Sequence, residues 1–250
     1  MQAAFDIAIV GSGFAGSLFA LVARRLGLSV VLVEKGSHPR FAIGESTSPL
    51  ANLLLEELAT RYDLPRLLPF AKWGSWRRAY PEVSCGLKRG FTFFHHAEGR
   101  PFANAPDRQD QLLVAASPND DVADTHWYRA EFDHFLLKEA EEAGSHYVDR
   151  IALSGVTREK DRWVLTGERA GTVSTFEASF LVDATGRSGA LHDALGVRRA
   201  VPVLPSTQGL FTHFEGVRRL DEMGIPGGPE IPPYPVDDAA VHHVFPGGWI

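Results

Sequence analysis

FDIAIVGSGFAG, residues 5–16, is the stretch whose reading decides the fold. Residues 5–10 form a short apolar run of the kind a fully buried parallel strand displays. GSGFAG follows, a G-x-G-x-x-G pattern with Gly11, Gly13 and Gly16 in place. Leu18, Leu21, Val22 and Arg25 to Leu26 then keep helical spacing until Gly27, a glycine where a helix C-cap is expected. Residues 29–33 (SVVLV) read as a second buried strand that ends on Glu34. A β-α-β unit results, and each part of it has a physical task. Gly11 permits the tight turn, Gly13 lets backbone N–H groups approach a pyrophosphate, and Gly16 lets helix and strand pack closely. The helix N-terminus supplies a positive dipole end, and Glu34 can accept from ribose hydroxyls. Phe14 and Ala15 within the motif, and Lys35 beside Glu34, are counted with this dinucleotide site.

The bulk properties bound what surrounds it. A chain of 250 residues buries roughly 70–75% of its unfolded surface, enough for one large domain or two small ones. Hydrophobic content of 44% and charged content of 22% are those of a soluble globular protein. The net charge of −6, with no long basic block, argues against a nucleic-acid or anionic-membrane partner. Cys85 is the only cysteine, so an intrachain disulfide is excluded and a reducing, cytoplasmic setting is expected. Cys85 itself reads as a small strand residue rather than a reactive thiol. The N-terminus lacks a basic flank before its apolar run and reads as a strand, not a signal peptide. No run approaches the roughly 20 apolar residues of a membrane span.

Further along, Gly36 to Pro49 reads as a loop, with Ser48 as N-cap and Pro49 opening a helix. Leu50, Leu53, Leu54 and Leu58 are expected to line one face of that helix. From Trp73 to about Phe102, aromatics, glycine and alternating patterns predict antiparallel strands of a second module. SCGLKRGFTFFHH (84–96) forms one strand within it. Residues 103–124, with Asp120, Asp121 and Asp124, read as a polar surface loop. A helix is predicted over Ala130–Ala143, with Phe132, Phe135, Leu136, Ala140 and Ala143 on one face. HYVDRI (146–151) follows as a strand, and residues 153–178 as a small β-meander with turns at 159–161 and 169–171. ASFLVDATGR (178–187) reads as a buried strand ending in a glycine-bearing turn. Eight prolines between Pro202 and Pro246 suggest strands and long loops of the second module. The fold class is therefore α/β. A Rossmann-like dinucleotide-binding domain (1–72 and 103–190) is interleaved with a β-rich second module (73–102 and 191–250), plus the small meander; the resemblance that follows makes them an FAD-binding and a substrate domain.

A nicotinamide enzyme continues with regularly alternating strands and helices, whereas this chain turns to a long loop, a β-rich insertion and VDATGR. That layout resembles the FAD-dependent monooxygenase and halogenase superfamily, with its p-hydroxybenzoate hydroxylase-like fold. In detail the chain is most similar to the flavin-dependent halogenases. The resemblance rests on the glycine fingerprint and a G-E-S/A-T-x-P loop, here Gly44, Glu45, Ser46, Thr47 and Pro49. A lysine leading into a strand, in GLKRGFTF, adds to it, as do WYRAEFDHFLLKEA, matching R-x-x-F-D-x-x-L, and VDATGRSG. It implies FAD as cofactor, with Arg129 near the flavin's phosphate or ribityl chain and the Asp183–Gly186 turn leading back toward the substrate domain. Family members are longer; a third FAD-contacting segment is absent, and the family's W-x-W-x-I-P motif can at most begin at Trp249. The chain thus reads as an N-terminal portion, with FPGGWI (245–250) as the start of a strand.

The same resemblance implies a mechanism. A flavin hydroperoxide oxidises halide to hypohalous acid, which travels to a lysine beside an aromatic or other electron-rich substrate; Lys88 is that lysine here. Burial favours the neutral, nucleophilic amine. Lys88 and Arg89 side chains are expected on opposite faces of one strand, so at most one enters a cavity. The implied partners are a small-molecule substrate, a halide, oxygen and a separate flavin reductase. Alternatives are an aromatic hydroxylase using the same chemistry, an isoprenoid reductase and a non-catalytic flavin-binding fragment. His95 with His96, and His242 with His243, are adjacent strand residues that split across faces, and no metal-ligand spacing is present. Glu45 orients a flavin edge or caps its turn. Trp73, Trp76, Phe91, Phe93 and Phe94 line an aromatic pocket or pack a core.

Overall fold

The structure is a computed structural model that describes residues 4–102, 108–186, 189–197, 207–223 and 234–250. In chain order the strands are β1 (Ala4–Val10), β2 (Val30–Val33), β3 (Cys85–Lys88), β4 (Gly90–His95), β5 (Gln111–Ala115) and β6 (Asp124–Trp127). They continue as β7 (His146–Val148), β8 (Ala152–Glu159), β9 (Arg162–Arg169), β10 (Thr172–Asp183), β11 (Ala240–Phe245) and β12 (Gly248–Trp249). The helices are α1 (Phe14–Arg25), α2 (Pro49–Arg61), α3 (Trp73–Ala79), α4 (Arg129–Glu142) and α5 (Ala190–Ala194).

The chain divides into two compact units, Met1–Ile43 with Arg129–Gly209, and Gly44–Tyr128 with Leu210–Ile250. The crossings therefore fall at residues 44 and 129, not at 73 and 103 as the composition suggested. The cause is local: the Thr47 N–H and hydroxyl both donate to the Thr125 carbonyl, and Asn52 Nδ2 donates to Asp124. These bonds tie the loop and α2 to β6. Residues 191–209 fall with the first unit, where α5 lies against β8.

The first unit is built on a six-stranded sheet of order β7-β2-β1-β10-β9-β8. The first four of these strands pair in parallel, and β8, β9 and β10 form an antiparallel meander. The turns fall where expected: Lys160, Ala170 and Gly171 all adopt positive φ. The last strand of the meander and the expected strand ASFLVD are one continuous strand, β10, rather than two elements. β10 pairs with β9 over Thr172–Ala178 and with β1 from Glu177 to Asp183, because no glycine or proline interrupts its 12 residues. Only part of its second half is buried, and Phe180 is exposed. Ala8, Val10, Val31, Val33, Ile151, Leu165, Phe176 and Ala178 form the core on one sheet face. Helix α1 packs against α4, which buries Phe132, Leu136, Leu137 and Ala140.

The second unit has a four-stranded sheet, β12-β11-β4-β5, and a separate pair, β3-β6. Four expectations change here. Trp73 opens a helix, α3, rather than a strand; its Trp76 is fully buried and donates to the Val83 carbonyl at 2.8 Å. Residues 111–115 of the expected loop pair with β4 as a strand. Helix α2 buries Asn52, Leu55 and Ala59 and exposes Leu50, Leu53 and Leu54. Asn52 is turned inward by its bond to Asp124, and that fixes the helix register. Finally, residues 84–96 form two strands in different sheets. The break is at Arg89, whose N–H donates to the Asp238 carbonyl at 2.6 Å while its own carbonyl accepts from Ala116 and Ser117. Gly90 follows because a Cβ there would stand 2.1 Å from the Val114 carbonyl oxygen.

Phe70 holds this unit's helical corner. Its fully buried ring meets Trp76 edge-on at 4.6 Å and stacks on Tyr80 at 4.8 Å. Phe70→Ala is expected to lower stability by about 3–5 kcal/mol, measured as a shift of the denaturant midpoint at unchanged slope.

Candidate active site

In the first unit the glycine turn joins the ends of β1 and β10 to the start of α1. Gly11 has φ +103°, and a Cβ on it would stand 2.4 Å from the Ala184 carbonyl oxygen. A Cβ on Gly16 would stand 2.0 Å from the Gly11 carbonyl oxygen. The protein itself requires glycine at both positions. Gly13 differs. Its φ and ψ, −66° and 179°, suit any residue. The atoms nearest an added Cβ would be Arg40 Nη2 at 3.6 Å, Asp133 Oδ2 at 3.7 Å and Arg129 Nη2 at 4.0 Å, all at ordinary contact distance. Gly13 thus leaves open a space at the α1 N-terminus faced by two guanidinium groups.

These two cations are held differently. Arg129 is buried and forms a bidentate pair with Asp133 at 2.7 and 2.8 Å. It also donates to the Ile43 carbonyl at 3.0 Å and lies over the Phe14 ring. Arg40 reaches Glu34 at 3.4 Å, and its Nε is buried with no partner. A helix N-terminus, two arginines, an unpartnered donor and a cradle that a side chain would fill fit the pyrophosphate of a dinucleotide.

Glu34 closes the site on one side. Its Oε2 accepts from the Ser12 N–H and hydroxyl, both at 2.9 Å, and from Arg40; Oε1 accepts from the Gly36 N–H at 2.8 Å. Burial pushes this carboxyl up, but the Ser12 and Gly36 donors and Arg40 outweigh it and hold the pKa below the usual range. Oε1 keeps capacity for a ribose hydroxyl. Ala15 and Lys35 are exposed. Asp183 accepts from the Thr185 N–H and hydroxyl and so shapes the turn to Gly186, which has φ +68°.

Gly44, Glu45 and Ser46 belong to the second unit. Gly44 is at φ +97°, so glycine is required by the backbone itself. The Glu45 carbonyl accepts from Trp127 at 2.8 Å, and Ser46 bridges to His126. The loop therefore runs along β6. Lys88, only 1% exposed, donates from Nζ to the Thr47 carbonyl of the same loop and lies 4.0 Å over the Phe91 ring. Burial pushes its pKa down, partly opposed by Asp124. Asp124 is its cross-strand neighbour and is itself buried, not part of an exposed acidic run. His126 is pushed down to about 4, first by burial and then by Lys88 and His242. Beside it opens a groove of about 420 Å³ lined by Glu45, Cys85, His126, Trp127, Tyr128 and His213. Glu45 Oε1 meets His213 Nε2 at 3.0 Å across it.

Lys88 and Arg89 turn to different neighbours, and both are buried. The strand break lets both turn inward: Arg89 is 8% exposed, pairs with Asp120 at 2.5 Å and lies over Tyr234. The two histidine pairs do split across faces. His242 stacks on Phe93 at 4.7 Å, whereas His243 stacks on Phe94 and lies 2.8 Å from His96. Arg40, Asp133, Ser12, Asn52, Asp124 and His126 escaped sequence reasoning. The Arg129–Asp133 spacing of i, i+4 was the one available signal.

Residues 6–249 match the family profile described as DAO, FAD dependent oxidoreductase, and the chain belongs to that family of FAD-dependent enzymes. Within it, the chain is similar to the monodechloroaminopyrrolnitrin halogenase PrnC of Pseudomonas fluorescens, 28% identical over 98% of this chain and 42% of the relative. Similarity to the tetracycline 7-halogenase of Kitasatospora aureofaciens is 27%, over 98% of this chain and 43% of that protein. The halogenase PltM, solved in complex with phloroglucinol and FAD, superposes with a TM-score of 0.83 at 27% identity, over 98% of this chain and 47% of that one. The chain thus spans less than half the length of these relatives.

Gly13→Val is expected to leave far-UV circular dichroism unchanged and to weaken FAD uptake on the order of tenfold or more, about 1.4 kcal/mol. Titration by flavin fluorescence measures it, and parent affinity would assign the space to something other than the cofactor.

Proposed function

We propose that this chain carries the FAD-binding segment and the reactive lysine of a flavin-dependent halogenase acting on a small, electron-rich aromatic substrate. The observation that carries the reading is Lys88, a primary amine enclosed by protein, held by the Thr47 carbonyl and lying against the Phe91 ring. When bound, reduced FAD supplies the electrons with which dioxygen is activated and a halide is oxidised to hypohalous acid. Gly11, Gly13, Phe14, Ala15 and Gly16 receive the pyrophosphate at the α1 N-terminus, with Arg40 and Arg129 supplying positive charge. Glu34 and Lys35 border the ribose side, and Asp183 to Gly186 form the neighbouring turn. Gly44, Glu45 and Ser46 act as the family's loop at the flavin.

Lys88 then handles the oxidant. Burial disfavours its ammonium form and so raises the fraction of neutral amine, whose lone pair attacks the halogen of hypohalous acid; the N–halogen bond forms as the halogen–oxygen bond breaks, and hydroxide leaves with the amine proton as water. A halide, dioxygen and a separate flavin reductase are the remaining partners. The single cysteine suits a cytoplasmic setting, and among the described residues no helix is long and apolar enough to cross a membrane.

The test is made in the whole protein with a flavin reductase, bromide or chloride and an electron-rich phenol. Lys88→Ala is expected to consume oxygen with reduced flavin at the parent rate and to lose halogenated product at least a hundredfold, about 2.7 kcal/mol in barrier. Lys88→Arg fails as well, because a guanidinium stays protonated. Halogenation at the parent rate by both variants overturns the role of Lys88. Hydroxylated product from the parent, with halide present, overturns the reaction type.

A further inference from the structure

The amine of Lys88 does not sit alone in its enclosure. β3 and β6 are antiparallel, and their register places Lys88 directly opposite Asp124, which brings the two side-chain roots within about 5 Å of one another. Both residues are buried. Asp124 Oδ1 accepts from Asn52 Nδ2 at 2.8 Å, whereas Oδ2 is buried with no hydrogen-bond partner. A buried carboxylate with one oxygen unsatisfied is costly unless a positive charge lies near or the group takes up a proton. Among the described residues, the other neighbours of the amine offer no competing charge. Thr47 contributes a carbonyl and Phe91 a ring face. On β6, burial with Lys88 and His242 keeps His126 neutral near pH 7. On β11, His242 stacks on Phe93. Arg89, next in sequence, is turned to Asp120 and Tyr234.

We propose that Asp124, anchored by Asn52, is the positioning residue that sets when Lys88 holds its proton. The two charges are coupled across the β3–β6 ladder, so that the protonation of one depends on that of the other. The enclosure carries no net charge in either form of the pair, ammonium with carboxylate or amine with carboxylic acid, so the amine lone pair is freed without leaving a lone buried charge. The directions of both groups agree: burial lowers the lysine pKa and raises that of Asp124, and each partner opposes the other's shift. This inference deepens the role proposed for Lys88 and rests on it for its catalytic meaning, but its test does not use halogenation.

Lys88 is one of five lysines in the chain, so its side-chain Cε signal can be assigned by comparison with Lys88→Arg and followed by carbon NMR against pH. In Asp124→Asn the Lys88 titration is expected to move down by about 1–3 pH units, while the other four lysines stay within about 0.3 unit of the parent. Asn52→Leu, which withdraws the donor but keeps the carboxyl, should raise the pH at which the Asp124 carboxyl carbon titrates. In the unaltered protein that carbon should also register the loss of the Lys88 proton, as a second inflection in a coupled pair. The last measurement needs no variant to fold. A Lys88 titration unmoved in Asp124→Asn, or an Asp124 carboxyl with one inflection and no response to Lys88, overturns the inference. A coupled pair in a protein whose Lys88→Ala variant still halogenates would leave the pairing intact and overturn only the catalytic reading.

Discussion

An amine that cannot reach water has to be supplied with acceptors, and in the second unit that requirement is met from three directions at once. The Thr47 carbonyl takes the hydrogen bond, the Phe91 ring offers its face, and Asp124 lies across the ladder. Each partner is fixed by a different long-range contact. Thr47 is clamped to Thr125, Asp124 to Asn52 on α2, and Phe91 to the β4–β11 pairing. Enclosing Lys88 therefore specifies where the loop of residues 44–48, α2 and β6 must lie. It also explains the presence of an inward Asn52 on a helix that leaves Leu50, Leu53 and Leu54 outside. A cation–π contact in a desolvated site contributes about 2 kcal/mol, which offsets part of the cost of removing an ammonium from water.

The first unit solves a different problem, which is to bring three chain ends together closely enough that backbone N–H groups can face an anion. Gly11 and Gly16 make the approach possible because no side chain fits between the turn and Ala184 or within the turn itself. Arg129 is then positioned by its fork to Asp133 and by the Phe14 ring rather than by a ligand. A cation placed before anything binds loses little freedom on binding.

Much of this was legible in the sequence, and what was not has a common cause. The β-α-β unit and its glycines are local chemistry, as are the meander turns at Lys160 and Ala170–Gly171, so spacing alone reveals them. Lys88 was singled out through the resemblance to the flavin-dependent halogenases, since a place at a strand's entrance does not separate a solvated charge from an enclosed amine. The break at Arg89 could not be seen, because it is imposed by Asp238 and Ala116, distant in sequence. Asp124 looked like one more charge in a solvated acidic run, since only its strand partner marks it as buried. Asn52 was hidden for the same reason: a polar residue reads as exposed until its partner is known. Arg40 lay in a loop without periodicity, where spacing carries no information.

The uninterrupted course of β10 also bears on the order in which the chain assembles. Its first half closes onto β9, and β9 onto β8, through tight turns between adjacent segments, contacts of low sequence separation that form early. Its second half joins β1, so that residue 4 must find residue 177, a closure with a much larger entropic cost. Zipping of the local hairpins presents the rest of β10 as a ready edge for the N-terminal strand. The glycine turn at residues 11–16, which exists only once β1 and β10 are side by side, is then among the last parts of the first unit to take shape.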